Sequence, residues 1–101
     1  MKTIWKVNFQ IADVAYFKAP PDAEMLSVQM QRNEAMLWFL CSPHLGSVTH
    51  TIRVFGTGQP VPDNDCLKYI GTVQTHGGQL VWHIFKDTYP HPMSEHIPLK
   101  G

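Results

Sequence analysis

Apolar and polar residues alternate along most of this chain, which is the pattern of β-strands that are buried on one side only. No stretch sustains the i, i+3, i+4, i+7 apolar spacing of an amphipathic helix, so the pattern predicts an all-β fold. Such mainly antiparallel strands would form a small barrel or a two-sheet sandwich. About seven strands are predicted, over residues 3–9, 13–18, 25–31, 35–42, 47–55, 67–75 and 79–86.

The third and fourth predicted strands form a hairpin around Arg32-Asn33, because Asn33 tolerates the positive φ that a tight turn requires. One side of this hairpin is entirely apolar and is expected to face the core. It comprises Leu26, Val28, Met30, Ala35, Leu37 and Phe39. The opposite side of the fourth strand carries Met36, Trp38 and Leu40, so that strand must be covered on both faces. We therefore expect a homo-oligomer whose interface contains these three residues.

The last hairpin turns at Gly77-Gly78, which sets Gly71 opposite Ile84. In an uninterrupted register, Tyr69 and Trp82 then share one face of the hairpin. Because Gly71 has no side chain, we expect the indole of Trp82 to lie over it.

Composition and charge narrow the class of protein. A chain of 101 residues that is 44% hydrophobic fits one domain with a modest core. We assign residues 1–87 to this domain and residues 88–101, which contain several prolines and histidines, to a C-terminal tail. The formal net charge is zero, which disfavours binding to nucleic acid or to an anionic membrane surface. No apolar run approaches the roughly 20 residues of a transmembrane helix, so no membrane association is expected.

Candidate chemistry is sparse. Cys41 and Cys66 have neither metal-binding nor redox spacing, and nothing resembles a secretory leader, so we expect reduced thiols in the cytoplasm of a host cell. No two of the six histidines have the spacing of a structural zinc site, which predicts no metal and no cofactor. A nucleophile such as Cys66 and a base such as His83 are not linked by any motif, so we do not expect an enzyme.

Residues 56–65, Gly-Thr-Gly-Gln-Pro-Val-Pro-Asp-Asn-Asp, form the most distinctive segment. Its glycines allow positive φ and its prolines stiffen the chain, as a wide connection between two strands requires. Alternatively, its exposed backbone amides can hold an anion or a partner's backbone, because recognition usually occurs on polar loops of a rigid scaffold. The candidate ligand- or partner-binding residues are Arg53, Thr57, Gly58, Gln59, Tyr69 and Trp82.

Several short motifs occur together between residues 3 and 87. They are Ile4-Trp5-Lys6, Leu26-Ser27-Val28-Gln29, Leu37-Trp38, Phe55-Gly56-Thr57-Gly58-Gln59-Pro60, Tyr69-Ile70-Gly71-Thr72-Val73-Gln74 and Val81-Trp82-His83-Ile84-Phe85. In this combination the chain resembles an uncharacterised small all-β domain family found mostly in bacteriophage and prophage genomes. The resemblance implies a phage setting and a compact β-fold, and it implies no activity. Members of that family tend to carry histidine where this chain has Gln59, which argues against an obligatory metal or acid–base role at that position.

The phage resemblance and the lack of a catalytic constellation favour a non-enzymatic phage accessory binding protein that engages and inhibits a host factor such as a defence component. Two alternatives stay open. One is a small-ligand protein that binds or sequesters a nucleotide-type signal through residues 56–65, Arg53 and an aromatic side chain. The other is a minor phage structural or assembly protein. The expected partner is accordingly a host protein or a small anionic ligand.

Overall fold

The computed structural model describes residues 1–88, which form seven β-strands and no α-helix. The strands are β1 (Thr3–Phe9), β2 (Val14–Ala19), β3 (Glu24–Gln31), β4 (Glu34–Cys41), β5 (Val48–Gly56), β6 (Leu67–Thr75) and β7 (Leu80–Asp87). Each strand agrees with its predicted segment to within one residue at either end. The agreement follows because a strand buried on one face needs alternating apolar and polar residues along its length. The predicted C-terminal tail lies outside the described residues, apart from Thr88.

The strands form two sheets. Sheet A has three strands in the order β1-β4-β3, and sheet B has four in the order β2-β5-β7-β6, with every neighbouring pair antiparallel. The two sheets pack face to face as a sandwich and do not close into a barrel. The all-β prediction is thereby confirmed, and the sandwich is the correct one of the two predicted architectures.

Side chains from the inner faces of both sheets form one core. The rings of Phe17 in β2 and Phe39 in β4 meet across the sheets, with centroids 5.7 Å apart. Leu37 and Ile84 are completely buried, and burial of a side chain of this size contributes roughly 1.5–3 kcal/mol. The core also contains Phe9, Ala19, Val28, Ala35, Cys41, Ile52, Val54 and Val73.

The hairpin of β3 and β4 turns at Arg32 and Asn33, as predicted. Both residues have positive φ, 54° and 68°, as in a type I′ turn. A β-bulge after Met25 shifts the register, so that Met25 takes the position opposite Phe39. The prediction that Leu26 faces the core was wrong, because the bulge turns its side chain outward and leaves it 45% exposed.

A second β-bulge changes the register of β6. It lies between Tyr69 and Gly71, so Tyr69 pairs with Phe85 while Gly71 keeps its predicted partner Ile84. Because one extra residue reverses the direction of the side chains before it, Tyr69 and Trp82 lie on opposite faces of sheet B. The prediction that they share a face was wrong.

Gly71 makes room for a side chain of sheet A. A Cβ added at Gly71 would lie 2.7 Å from Cγ1 of Val28, so the missing side chain lets β3 and β6 approach closely. The indole of Trp82 lies instead against Gly56, 3.5 Å from where a Cβ would be. The predicted stacking of Trp82 over Gly71 was wrong, because Val28 occupies that space.

The predicted interface residues Met36, Trp38 and Leu40 lie on the outer face of sheet A, where each is half-buried. A flanking strand supplies part of their cover. Lys6 extends over the Trp38 ring, with Nζ 6.0 Å from the ring centroid, and donates a hydrogen bond to Oε1 of Gln31 at 3.1 Å. Self-association through this face stays a prediction.

Candidate functional site

The connection between β5 and β6 comprises residues 57–66. Both strands pair antiparallel with β7, so they run parallel and the connection must span the length of the sheet. Sheet A occupies the inner face. Phe55, which points to the outer face from β5, is only 3% exposed. The first residue of the connection, Thr57, contacts the outward-facing His83, so the connection leaves β5 on the outer side of the sheet.

The connection begins with a tight turn over residues 56–59, which is held by two hydrogen bonds between Gly56 and Gln59. The N–H of Gln59 donates to the carbonyl of Gly56 at 3.0 Å, and the N–H of Gly56 donates to Oε1 of Gln59 at 3.0 Å. Gly58 has a φ of 91°, a conformation that side chains disfavour. Gln59 and Gly58 thus shape the turn, and the amide oxygen of Gln59 is engaged within the chain.

Four polar side chains on the outer face of sheet B form the hydroxyl–imidazole network: Thr57, Tyr69, Thr72 and His83. Nε2 of His83 lies 2.8 Å from Oγ1 of Thr57, and Nδ1 of His83 lies 3.1 Å from Oγ1 of Thr72. The hydroxyl of Tyr69 lies 2.5 Å from Oγ1 of Thr72. The network joins the connection to β6 and β7, and it fixes the orientation of the imidazole.

Three aromatic rings, Phe55, Phe85 and Tyr69, form a row across the sheet beside this network. Neighbouring rings pack edge to face, with centroids 5.6 Å and 5.5 Å apart. Exposure rises along this aromatic row, from 3% at Phe55 to 60% at Tyr69. Tyr69 is therefore the exposed end of a cluster whose other end is anchored.

Arg53 is held by other residues of sheet B. Its guanidinium carbon lies 5.3 Å from the centroid of the Phe55 ring, and its Nη1 lies 3.8 Å from a carboxylate oxygen of Asp87. The Asp87 side chain is 5% exposed and the Arg53 side chain 29%. Because a buried carboxylate needs a compensating charge, Arg53 serves the fold in this position.

The structure brings together only part of the predicted binding set. Thr57 and Tyr69 meet in the hydroxyl–imidazole network, whereas Arg53 and Gln59 are engaged in separate contacts. Trp82 lies on the inner face of sheet B, where its indole N–H donates to a threonine hydroxyl of β6 at 3.0 Å. The predicted residues do not form a single site.

Two members of the network, Thr72 and His83, were not among the predicted binding residues. The hairpin register does place them opposite each other on β6 and β7. The register of this hairpin does not show Thr57, since Thr57 follows β5 and reaches His83 only because β5 pairs with β7. Without that third residue, Thr72 and His83 are an ordinary cross-strand pair.

The chemistry of the network suits recognition better than catalysis. Thr57 and His83 lie within the distance of a nucleophile and its base, but the second ring nitrogen of His83 meets the Thr72 hydroxyl. A neutral hydroxyl does not stabilise an imidazolium as the carboxylate of a catalytic triad does. Hydroxyls and an imidazole supply both donors and acceptors to a partner. Within residues 1–88, no group of three or more His, Cys, Asp or Glu side chains could hold a metal ion.

Comparison with known proteins places the chain in a family without an assigned activity. The family model described as Domain of unknown function (DUF7352) matches residues 1–95. No curated protein and no solved structure matches the chain. In the described part of the chain, no helix is long and apolar enough to cross a membrane.

Proposed function

This chain belongs to the family described as Domain of unknown function (DUF7352), and we propose that it is a non-enzymatic binding protein that recognises a partner protein with the outer face of sheet B. The observation that carries this proposal is the hydroxyl–imidazole network. It holds an exposed tyrosine, two hydroxyls and an imidazole in fixed positions beside the aromatic row. Tyrosine is enriched at protein interfaces because it combines a large apolar ring with a polar tip.

Preorganisation supports this choice of surface. Each immobilised side chain costs a binding reaction about 0.5–1.5 kcal/mol in lost rotamer freedom. Tyr69 is already restrained by its bond to Thr72 and by its contact with Phe85. His83 is restrained through both ring nitrogens. A partner that contacts these side chains therefore binds with little further loss of rotamer freedom.

Charge favours a protein over a nucleic acid as the partner. The chain has no formal net charge, so it lacks the excess of basic residues that attracts phosphate backbones. The two lysines of the last hairpin, Lys68 and Lys86, pair with each other on the face of sheet B opposite to Tyr69. An aromatic platform with lysines on the same face, as single-stranded nucleic acids require, is therefore not formed by this hairpin.

The resemblance to phage and prophage proteins suggests which partner. In a phage setting, a small binding protein without catalytic groups acts by occupying a surface of a host protein. We therefore propose a host factor in the bacterial cytoplasm, such as a defence component, as the protein that is bound and inhibited. This step rests on the resemblance, while the binding surface rests on the geometry of sheet B.

Quantitative co-purification from bacterial cells tests the proposal. The variants are Tyr69→Ser, which removes the exposed ring, and His83→Ala, which disconnects Thr57 from Thr72. Tyr16→Ser is the matched control. Tyr16 is 62% exposed against 60% for Tyr69 and points outward from the same sheet, but it lies on the opposite edge strand, two strands away from β6 and outside the hydroxyl–imidazole network. It therefore tests whether recognition uses the part of this face formed by β6 and β7. We expect one host protein to be recovered with the wild type and with the control and to be lost with both network variants.

The proposal is contradicted if every co-purified protein is recovered equally with all four forms. Melting temperatures show whether a loss comes from unfolding. Tyr69 is exposed but packs against Phe85 and bonds to Thr72, so we expect Tyr69→Ser to lower the free energy of unfolding by about 1 kcal/mol, which leaves the protein folded.

A further inference from the structure

An open cleft of about 390 Å³ lies between the two sheets, at the end of the sandwich away from the hairpin turns. Lys68 of β6 and Lys86 of β7 line it and stand directly opposite each other in the register. Both point to the inner side of sheet B, where Ile52 and Ile84 also lie. Lys86 is half-buried at this position and Lys68 is exposed at the rim of the cleft.

The two lysines have little compensating charge. Neither forms an ion pair within residues 1–88. Nζ of Lys86 donates a hydrogen bond to the backbone carbonyl of Asp87 at 3.2 Å. The other titratable groups in the lining are Glu24 of β3, His50 of β5 and the phenol of Tyr69. The formal charges of the lining, two lysines and one carboxylate, sum to +1.

This arrangement is unfavourable while the cleft holds no anion. Like charges directly opposite each other in a sheet destabilise it. Burial lowers the pKa of Lys86, and the carboxylate of Asp87 offsets this only in part. Burial likewise lowers the pKa of His50, and Lys86 adds to that shift. An anion between the two ammonium groups would relieve the repulsion and compensate for the partial burial of Lys86.

We propose that the cleft binds a small organic anion, with its charged head between Lys68 and Lys86 and its apolar body against Met25 and Ile70. The volume lies within the roughly 300–1,000 Å³ typical of small-molecule sites. An ammonium group is a compact positive charge that binds either a carboxylate or a phosphate ester. The charge and size of the cleft therefore define the class of ligand. The site shares Tyr69 with the hydroxyl–imidazole network, but its positive charge comes from Lys68 and Lys86, which are not part of that network.

Titration by nuclear magnetic resonance tests the site directly. The probes are phenyl phosphate, benzoate, inorganic phosphate and, as an uncharged analogue, benzyl alcohol. The signals followed are the backbone amides of Met25 and Ile70. We expect saturable shifts with phenyl phosphate or benzoate, weaker ones with inorganic phosphate, which lacks an apolar body, and none with benzyl alcohol. The tighter of the two aromatic anions identifies the preferred head group.

Three variants show whether the lysine pair is responsible. Lys68→Gln and Lys86→Gln should each weaken binding about tenfold or more, since each removes one charged hydrogen-bond donor. Lys18→Gln is the control, because Lys18 is an exposed lysine on edge strand β2. It should bind as the wild type does. If Lys86→Gln does not fold, Lys68→Gln carries the test, since Lys68 is exposed.

Three results would overturn the proposal. They are a lack of saturable binding by either aromatic anion, equal binding of benzyl alcohol, and binding that survives in the folded lysine variants. None of them depends on the partner-protein surface, so this site and the proposed function succeed or fail separately.

Discussion

The carboxylate of Asp22 ties the segment before β3 to the end of β4. It accepts hydrogen bonds from Oγ of Ser42 at 2.6 Å and from the N–H of Ser42 at 3.0 Å. These two bonds hold the pKa of Asp22 below its ordinary value. The contact joins the connection between β2 and β3 to the residue that follows β4, 20 residues away in sequence.

Asp22 should therefore make stability depend on pH in acid. Its pKa is lower in the folded state, so its contribution is present above the unfolded pKa and is lost as the pH falls through the folded pKa. We expect Asp22→Asn to lose less free energy of unfolding than the wild type between about pH 4 and pH 2, measured by urea unfolding.

Asp63→Asn is the control for this prediction, since Asp63 is an exposed carboxylate in the connection between β5 and β6. It should show the acid loss of the wild type. Burial also lowers the pKa of His50, so His50 too makes the protein less stable as the pH falls. This contribution is the same in both variants. Identical acid losses in Asp22→Asn and Asp63→Asn would show that the bonds to Ser42 do not stabilise the fold.

At the scale of elements, the contact between β3 and β6 depends on the missing side chain of Gly71. A methyl group there would lie 2.7 Å from Cγ1 of Val28, closer than packed carbon atoms come. We expect Gly71→Ala to destabilise the protein by about 1–3 kcal/mol, the usual cost of overpacking a core. Equilibrium urea unfolding measures the loss.

A double-mutant cycle shows whether Val28 is the cause. In the Val28→Ala background the obstructing methyl groups are gone, so Gly71→Ala should cost at least about 1 kcal/mol less than it does in the wild type. Gly56→Ala is the control, because its Cβ would meet Trp82 at an ordinary 3.5 Å and should be tolerated better. Equal costs of Gly71→Ala in both backgrounds would contradict this packing.

The two β-bulges explain why the strand bounds can be predicted from the sequence but the face to which each side chain points cannot. A single extra residue, such as Ile70 in β6, leaves normal alternation on either side of it and changes only the phase. The predicted strand bounds are therefore correct while the faces of Leu26 and Tyr69 are not. The bulge in β6 leaves Gly71 opposite Ile84 and turns only Tyr69 and the residues before it, which places Tyr69 beside Phe85 on the outer face.

For the whole molecule, the order of strands decides what meets on one surface. The pairing of β5 with β7 cannot be predicted from the order of strands along the chain, because β6 lies between them in sequence. This pairing places Thr57, the residue after β5, alongside β7, where its N–H donates to the carbonyl of Val81 at 3.3 Å and its hydroxyl meets His83. The hydroxyl–imidazole network is thus a product of topology, and only its cross-strand half can be predicted from the hairpin.

The central claim is that the outer face of sheet B, and not that of sheet A, meets the partner. Gln74 and Gln29 are exposed glutamines that point outward from β6 and β3. The photoreactive residue p-benzoylphenylalanine can replace either one in bacterial cells, leaving the hydroxyl–imidazole network unchanged. Crosslinked products are then identified by mass spectrometry.

A discrete crosslinked host protein is predicted from position 74 and not from position 29, and the product should disappear when Tyr69→Ser is added. Tyr16→Ser should leave it in place. Crosslinking from position 29 alone, from neither position, or from position 74 regardless of Tyr69 would contradict recognition through the outer face of sheet B.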